Sequence, residues 1–192
     1  MIRSSPAHVG AHVRRLASRG VVTVAIDGYS GSGKSTLAGR LAPYGGATVV
    51  TADDFYRVMD DAVRRELAPE EAVARYFDWE RLRDEALVPL RSGLRARYRP
   101  YDWATGGRLA RRTVQIPPAP VIVVDGVYSA RPELAAFVDL SVLVDTPRSL
   151  RAQRLAERGD DDGWNARWDV AEQVYFTVVR PPESFDLVVT GS

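Results

Sequence analysis

The segment at residues 28–35 constrains this chain more than any other stretch of its sequence. It reads Gly-Tyr-Ser-Gly-Ser-Gly-Lys-Ser and matches the pattern G-x-x-x-x-G-K-[ST] at every fixed position. The apolar, β-branched run 21–27 precedes it as a predicted strand, and residues 35–41 follow with helical character. Glycines let the backbone amides of such a turn surround phosphate oxygens, and the helix N-terminus adds partial positive charge. The segment therefore predicts a phosphate-binding loop (P-loop) between a strand and a helix.

The P-loop pattern also predicts roles for single residues. Lys34 is expected to reach the β and γ phosphates of a nucleoside triphosphate, and the Ser35 hydroxyl is expected to ligate Mg²⁺. Lys34 is the only lysine beside 25 arginines, and the broad guanidinium of arginine cannot replace a compact ammonium in a tight phosphate cradle. The predicted nucleotide-binding residues of the loop are Gly28, Ser30, Gly31, Ser32, Gly33, Lys34, Ser35 and Thr36.

The remaining sequence predicts an α/β fold. Further short apolar strand candidates lie at 47–52, 121–124, 140–144 and 187–189. Helical patterns fall between the strands, at 61–75, 79–91 and 147–158. Because short apolar strands alternate with helices, we expect a five-stranded parallel sheet flanked by helices. A chain of 192 residues fits a single domain over 1–192, with an N-terminal helix within 1–20.

The composition argues against several kinds of partner. A formal charge of +1 at pH 7 gives no electrostatic reason to expect nucleic acid or an acidic membrane. Without cysteine there is no disulfide framework and no thiolate metal site. No apolar run approaches the ~20 residues of a membrane span, and residues 1–20 lack the apolar region of a signal peptide. We therefore expect a soluble, cytoplasmic protein.

Two segments interrupt the α/β pattern. Residues 97–120 read as two extended arms around a Gly-Gly turn, which predicts an insertion over one edge of the sheet, at the substrate site. Residues 158–168 are predicted to be a mobile lid, because the polar, glycine-bounded stretch 159–163 is typical of a loop.

Arginines lie on both sides of the predicted lid. Arg151, Arg154 and Arg158 fall on one face of a helix, and Arg167 lies beyond the loop. A basic face beside a flexible segment suits a lid that closes over phosphates and shields them from water. The alternative is a solvated helical face.

Acidic side chains follow two of the predicted strands. Asp53 and Asp54 come directly after the strand at 47–52, and Asp125 ends the strand at 121–124. Because the carboxyl ends of parallel strands surround the ligand crevice, these carboxylates should converge near the γ-phosphate. One can hold Mg²⁺, and one can accept a proton from an attacking hydroxyl. Each could instead cap a helix, and Asp54 fits that alternative best.

Taken in order, several short motifs resemble the uridine kinase family of P-loop kinases, which is related to phosphoribulokinase, pantothenate kinase and nicotinamide riboside kinase. The resemblance runs from about residue 21 to 189 and implies a P-loop kinase fold. The motifs are Asp27-Gly-Tyr-Ser-Gly-Ser-Gly-Lys-Ser-Thr36, Asp53-Asp-Phe-Tyr56, Tyr76-Phe-Asp-Trp79, Pro100-Tyr-Asp-Trp103, Val124-Asp-Gly-Val127 and Val144-Asp-Thr146.

The resemblance implies roles for residues outside the P-loop. Asp53 matches the acid that orients or deprotonates the acceptor 5′-hydroxyl, and Asp125 falls where the family usually has a metal-site Glu. Asp78 matches a carboxylate that binds the ribose hydroxyls, although it could simply cap a helix. Tyr56 and Tyr101 match aromatics of the nucleoside site, although both could be core residues.

One departure concerns the reading of the base. Family members that act on uridine or cytidine usually carry a histidine shortly after the Tyr-Asp-aromatic segment, and this chain has residues 104–107, Ala-Thr-Gly-Gly, there. Arg108 could substitute as a polar reader, although arginine presents only hydrogen-bond donors.

We therefore expect an ATP- and Mg²⁺-dependent kinase acting on the 5′-hydroxyl of a nucleoside. Lys34, Asp53 and Arg158 would act in the transfer, with Arg154 and Arg167 also binding the nucleotide. The alternatives are a kinase of another small alcohol, pantothenate-like or sugar-like, and a P-loop regulatory protein that is not a kinase. Resemblance to the family further suggests self-association.

Overall fold

The central sheet contains every strand that the sequence predicts. The fold is described from a computed structural model covering residues 3–41, 43, 46–159 and 162–191. Its strands are β1 (Arg3–Ser4), β2 (Val22–Asp27), β3 (Thr48–Thr51), β4 (Ala96–Tyr98), β5 (Val114–Ile116), β6 (Val121–Asp125), β7 (Leu140–Asp145) and β8 (Leu187–Thr190). Within the described ranges, a parallel sheet has the order β1-β8-β7-β2-β6-β3. The five predicted strands are confirmed, and β1 adds a short sixth strand at the edge beside β8.

Burial on both faces explains why the central strands are so apolar. Along β6, Val121 and Val123 pack on one side with residues of the helices at 6–17 and 34–41. Ile122 and Val124 pack on the other side, mainly with the helix at 79–91. Successive side chains of a strand point to opposite faces, so a strand covered on both faces needs an apolar residue at every position.

The helices largely follow the predicted pattern. They are α1 (Pro6–Ala17), α2 (Lys34–Leu41), α3 (Asp61–Glu66), α4 (Pro69–Arg75), α5 (Trp79–Arg81), α6 (Val88–Arg91), α7 (Arg148–Arg158) and α8 (Asp162–Val174). A π-helical segment, Leu82–Leu87, joins α5 to α6, and another, Tyr175–Val179, extends α8. No helix in the described ranges has both the length and the apolar character needed to cross a membrane.

The pattern at 61–75 is not one helix but two. Leu67 ends α3 with extended backbone, Ala68 is also extended, and Pro69 starts α4. Proline disfavours helical backbone in the residue before it and is well accommodated at a first helical position, which accounts for the break.

The predicted insertion is confirmed as an antiparallel pair that reaches toward β3. β4 pairs with β5, and the glycines of the turn, Gly106 and Gly107, have φ of 66° and 60°. The backbone amide of Tyr101 donates to the carbonyl of Asp54 at 2.8 Å. The insertion is therefore attached to the segment that follows β3.

The predicted lid at 158–168 is only partly described. Residues 160 and 161 lie outside the described residues, with α7 ending before them and α8 beginning after them. Gly159 terminates α7 in left-handed backbone, with φ of 73°, which is the usual way a glycine ends a helix.

Candidate active site

The P-loop leaves no room for side chains at two of its glycines. Gly28 follows β2 with φ of 147°, and a Cβ there would lie 2.6 Å from the carbonyl oxygen of Val144. Gly31 has φ of 74°, and its Cβ would lie 2.9 Å from the carbonyl oxygen of Arg151. Both positions combine left-handed backbone with close approach, so only glycine fits. The predicted strand–turn–helix is therefore present as a tight backbone cradle.

Lys34 is held across this cradle. Its Nζ donates to the carbonyl of Gly28 at 2.9 Å and to that of Tyr29 at 3.0 Å. The same ammonium acts on Asp53 and Asp125, since its charge lowers the pKa of both carboxyls against the opposing effect of desolvation. Lys34 thus lies between the loop and the acidic strand ends.

Asp125 and Ser35 fit a magnesium ion. The Ser35 hydroxyl is hydrogen-bonded to Asp125, and the Oδ1 atom of this carboxylate is buried and has no hydrogen-bond partner among the described residues. Burial raises the pKa of Asp125 overall. The described ranges hold no cluster of three or more His, Asp or Glu that could bind a metal by itself. Such a partial site is typical of Mg²⁺, which often takes its remaining ligands from substrate phosphates and water.

Asp53 and Asp54 are adjacent but face different surroundings. Both lie in the 3₁₀ helix Ala52–Phe55 that follows β3. Asp53 is reached by solvent at the wall of the cleft, yet the protein around it raises its pKa by desolvation, and Asp125 and Asp54 add to the rise. Asp54 accepts a hydrogen bond from the Tyr98 hydroxyl at 3.0 Å. The helix-cap interpretation of Asp54 is wrong, because its carboxylate binds the insertion instead.

The P-loop opens into a cleft of about 560 Å³. One end consists of the loop, including Ser30, Lys34 and Ser35, with Asp125 beside it. Three rings that pack around Tyr56 also line the cleft and form its aromatic end: Phe77, Trp103 and Trp168. Asp53 lines the same cleft. A charged phosphate-sized end and an apolar aromatic end in one cleft suit a substrate pair in which only one partner is highly charged.

The predicted arginines have different positions. Arg158 lines the cleft from the end of α7. Arg154 lies behind the P-loop, where it donates to the carbonyls of Gly31 at 3.1 Å and Ser32 at 3.3 Å. Arg167 donates to the carbonyl of Arg65 and does not line the cleft.

Arg151 does not belong to a solvated helical face. Its side chain is buried, and its guanidinium lies 4.2 Å from the ring centroid of Tyr29. It also donates to the carbonyl of Thr146 at 3.3 Å. Arg151 thus supports the P-loop by packing against it.

The remaining predicted substrate residues do not line this cleft. Asp78 caps α5 by accepting from the Arg81 amide at 3.3 Å, and it lies 3.6 Å from Arg57. Arg108 is exposed and pairs with Asp102 at 3.2 Å. Asp78 therefore has the helix-capping role that was its alternative in the sequence analysis.

Tyr56 and Tyr101 pack behind the aromatic end of the cleft. Tyr56 is 1% exposed, and Trp103 stacks on it with ring centroids 4.8 Å apart. The ring of Tyr101 meets that of Tyr56 edge-on at 5.0 Å, and its hydroxyl accepts from the Gly107 amide at 2.9 Å. Both tyrosines support Trp103, which lines the cleft.

No role was predicted from the sequence for several residues of the site, among them a cleft-lining tryptophan and two buried acids. Trp168 lines the cleft from α8, and Glu172 lies one turn further along that helix against the P-loop. Their spacing of four residues places them on one face, a signal that was available in the sequence. Asp27, at the end of β2, is fully buried and accepts from the amides of Gly28, Tyr128 and Ala130 and from the Tyr175 hydroxyl. The sequence feature that could have identified Asp27 is an acidic residue at the end of an otherwise apolar strand.

Comparisons with known proteins agree with this geometry. The family described as "AAA domain" matches residues 24–174. The uridine kinase of Borrelia duttonii is 26% identical over 88% of this chain and 86% of its own length. The uridine-cytidine kinase C of Dictyostelium discoideum is 26% identical over 69% of this chain and 28% of its own length. The inorganic pyrophosphatase TTM2 of Arabidopsis thaliana is 27% identical over 65% of this chain and 18% of its own length. The chain thus spans less than a third of two of these relatives.

Solved structures share the fold. A protein from Silicibacter sp. TM1040 proposed to be a fructose transport system kinase is 26% identical, with a TM-score of 0.68 over 94% of this chain and 98% of its own. A protein from Bacillus stearothermophilus proposed to be a uridine kinase is 24% identical, with a TM-score of 0.66 over the same shares. The expected α/β P-loop kinase fold and the resemblance to uridine kinases are both confirmed.

Proposed function

The chain belongs to the AAA domain family, and from that premise we propose that it is an ATP-dependent phosphotransferase acting on the 5′-hydroxyl of a nucleoside. One observation carries the proposal: Lys34 in its phosphate cradle, the Asp53 carboxylate and an aromatic wall all line the same cleft. An aspartate that shares a cleft with a phosphate site and an aromatic wall, and that feels the charge of Lys34, is suited to take the proton of an acceptor hydroxyl that meets the γ-phosphate.

Different residues of the cleft have different roles in phosphate transfer. The P-loop amides and Lys34 bind the phosphates and offset their charge, and Arg158, which lines the same cleft, adds a second positive charge. Ser35 and Asp125 would hold Mg²⁺, which supplies further neutralisation of the β and γ phosphates. The acceptor oxygen bonds to the γ-phosphorus while the bond from that phosphorus to the β–γ bridging oxygen breaks. Asp53 takes the hydroxyl proton.

The aromatic end supports a planar acceptor. Phe77, Trp103 and Trp168 come from three separate segments and offer ring faces and edges for stacking. The relatives from Borrelia and Dictyostelium are named as uridine or uridine-cytidine kinases. A nucleoside would place its base against these rings and its 5′-hydroxyl toward Asp53.

ADP release from Mg-ATP across a panel of acceptors tests the proposal. We expect stimulation by uridine, cytidine or another nucleoside, and none in Lys34→Ala, which lacks the phosphate-binding ammonium. Stimulation by a different alcohol alone would keep the reaction but refute the nucleoside. Tight ATP binding without stimulation by any acceptor would favour the regulatory P-loop protein.

A sugar-like acceptor is the second candidate, and two observations favour it. The described residues lining the cleft include no His, Asn or Gln that could both donate to and accept from a base edge. In addition, a structure of the same fold is proposed to be a fructose transport system kinase. Fructose therefore belongs in the acceptor panel beside the nucleosides.

A further inference from the structure

A buried acid that the proposed reaction does not use lies directly against the P-loop. Glu172, on α8, is 1% exposed. Its two carboxylate oxygens accept from the backbone amide of Ser30 at 3.1 and 3.0 Å, and one of them also accepts from the Ser30 hydroxyl. A carboxylate this deeply buried is retained only with such partners, because its desolvation is costly.

The contact reaches the P-loop from behind. Ser30 lines the phosphate end of the cleft, whereas Glu172 does not. The charges of Lys34 and Arg151 partly offset the burial of Glu172, although burial dominates and raises its pKa. Glu172 therefore acts on the cradle without touching the space that phosphates would occupy.

The helix that carries Glu172 is also joined to the rest of the site. Trp168, one turn earlier on the same face, lines the aromatic end of the cleft. Asp169 pairs with Arg148 at 2.6 Å and with Arg151 at 3.7 Å, both on α7. Through these contacts α8 connects the phosphate cradle, the arginine-bearing helix and the acceptor wall.

We propose that Glu172 is a positioning residue: by holding Ser30 it fixes the conformation of the P-loop that binds Mg-ATP and fastens α8 to that loop. It acts through Ser30 and touches neither substrate. Only the transfer of phosphate from the bound nucleotide rests on the proposed function, so a measurement of nucleotide binding alone tests the role of Glu172.

The experiment is titration calorimetry with Mg-ATP, without acceptor, on the full chain. Glu172→Ala and Glu172→Asp should each bind Mg-ATP about tenfold more weakly, the order expected when a hydrogen bond to a charged group is lost. The aspartate keeps the charge but is too short to reach Ser30. Glu172→Gln should bind within about threefold of wild type, because its amide oxygen can still accept from the Ser30 amide. Glu157→Ala, an exposed glutamate on α7, is the matched control and should bind like wild type.

A purely structural role would give a different result. If Glu172→Ala and Glu172→Asp melt earlier than wild type but bind Mg-ATP with wild-type affinity when folded, the proposal is overturned. Should the alanine variant fail to fold, Glu172→Asp and Ser30→Ala decide, and unchanged affinity in both overturns it equally. Should the variants show the expected binding series while wild type transfers phosphate to no acceptor, the kinase assignment fails and the role of Glu172 stands.

Discussion

Neighbouring residues of this chain have different tasks because their side chains leave the backbone in different directions. Asp53 points into the cleft, whereas Asp54 binds Tyr98 in the insertion. The sequence grouped both as candidates for the same chemistry. At the scale of single residues, direction separates the proposed acid from a residue that holds two segments together.

The first prediction concerns this pair. Asp53→Asn should lower kcat about 100-fold or more, because the amide cannot accept the hydroxyl proton, while Mg-ATP affinity changes little. Steady-state kinetics with the stimulating acceptor, combined with calorimetry, measures both. Asp54→Asn serves as the control, since it keeps a shape that can accept from Tyr98, and it should retain most activity. Full turnover in Asp53→Asn would show that another group takes the proton.

The second prediction uses the raised pKa of Glu172. An acid whose pKa is higher in the folded than in the unfolded state contributes stability that is complete below its ordinary value of 4.5 and is lost as pH rises through the folded-state pKa. Glu172→Gln cannot titrate. Its free energy of unfolding relative to wild type should therefore improve as pH rises above the ordinary value of 4.5.

Urea unfolding of both proteins at several pH values measures this difference. Asp27 also has a raised pKa, but it is present in both proteins and cancels in the comparison. A difference that stays constant across the pH range would contradict the assigned direction.

At the scale of elements, α7 shows how one helix can serve both packing and binding. Its arginines at 151, 154 and 158 lie along one face, yet Arg151 is buried against Tyr29, Arg154 binds loop carbonyls, and Arg158 lines the cleft. The helix runs past the P-loop, so its first residues pack on the loop and its last residue extends beyond the loop to the cleft. The arginines expected to bind phosphates together therefore differ along the helix, and of the three only Arg158 lines the cleft.

The third prediction separates the two ends of α7. Arg158→Ala should reduce kcat about 100-fold, as expected for losing one charged donor to the transferring phosphoryl group, with little change in stability because the side chain is exposed. Arg151→Ala should lose about 1–3 kcal/mol of unfolding free energy through its ring contact and hydrogen bond. Kinetics and urea denaturation of both variants test the contrast. If Arg151→Ala lost kcat and Arg158→Ala lost stability instead, the end of α7 that packs on the P-loop would be the one that contacts the phosphates.

At the scale of the whole molecule, the aromatic wall of the cleft exists only because segments distant in the sequence converge. Phe77 precedes α5, Trp103 lies in the insertion, and Trp168 lies on α8. The insertion is held by the hydrogen bond from the Tyr98 hydroxyl to Asp54, and Trp103 stacks on Tyr56. No segment of the chain forms an aromatic site alone.

The fourth prediction tests that wall. Trp103→Ala should raise the KM of the acceptor about tenfold, a loss in line with removing one aromatic contact, while the affinity for Mg-ATP stays unchanged. Kinetics with acceptor and nucleotide varied separately provide the measurement. Trp79→Ala is a comparison outside the cleft and should leave the acceptor KM unaltered. Equal effects on both substrates would place Trp103 at the phosphate end instead.

Sequence alone is enough to predict the P-loop, the order of strands and helices along the chain, and the acids at the strand ends. These features depend on local spacing and on the period of apolar residues, which a chain carries in any conformation. The two-helix break at Pro69 is equally local and could have been predicted from the proline.

Which side chains share the cleft depends on the tertiary structure. It selected Asp53 over Asp54 and Arg158 over Arg167, and it set Glu172 against Ser30 across 142 positions of sequence. Such choices depend on how the helices pack on the sheet and on the direction in which each Cβ leaves its backbone. Two residues far apart in the chain have no fixed distance until the core between them is packed, so their spacing in the sequence does not determine whether they meet.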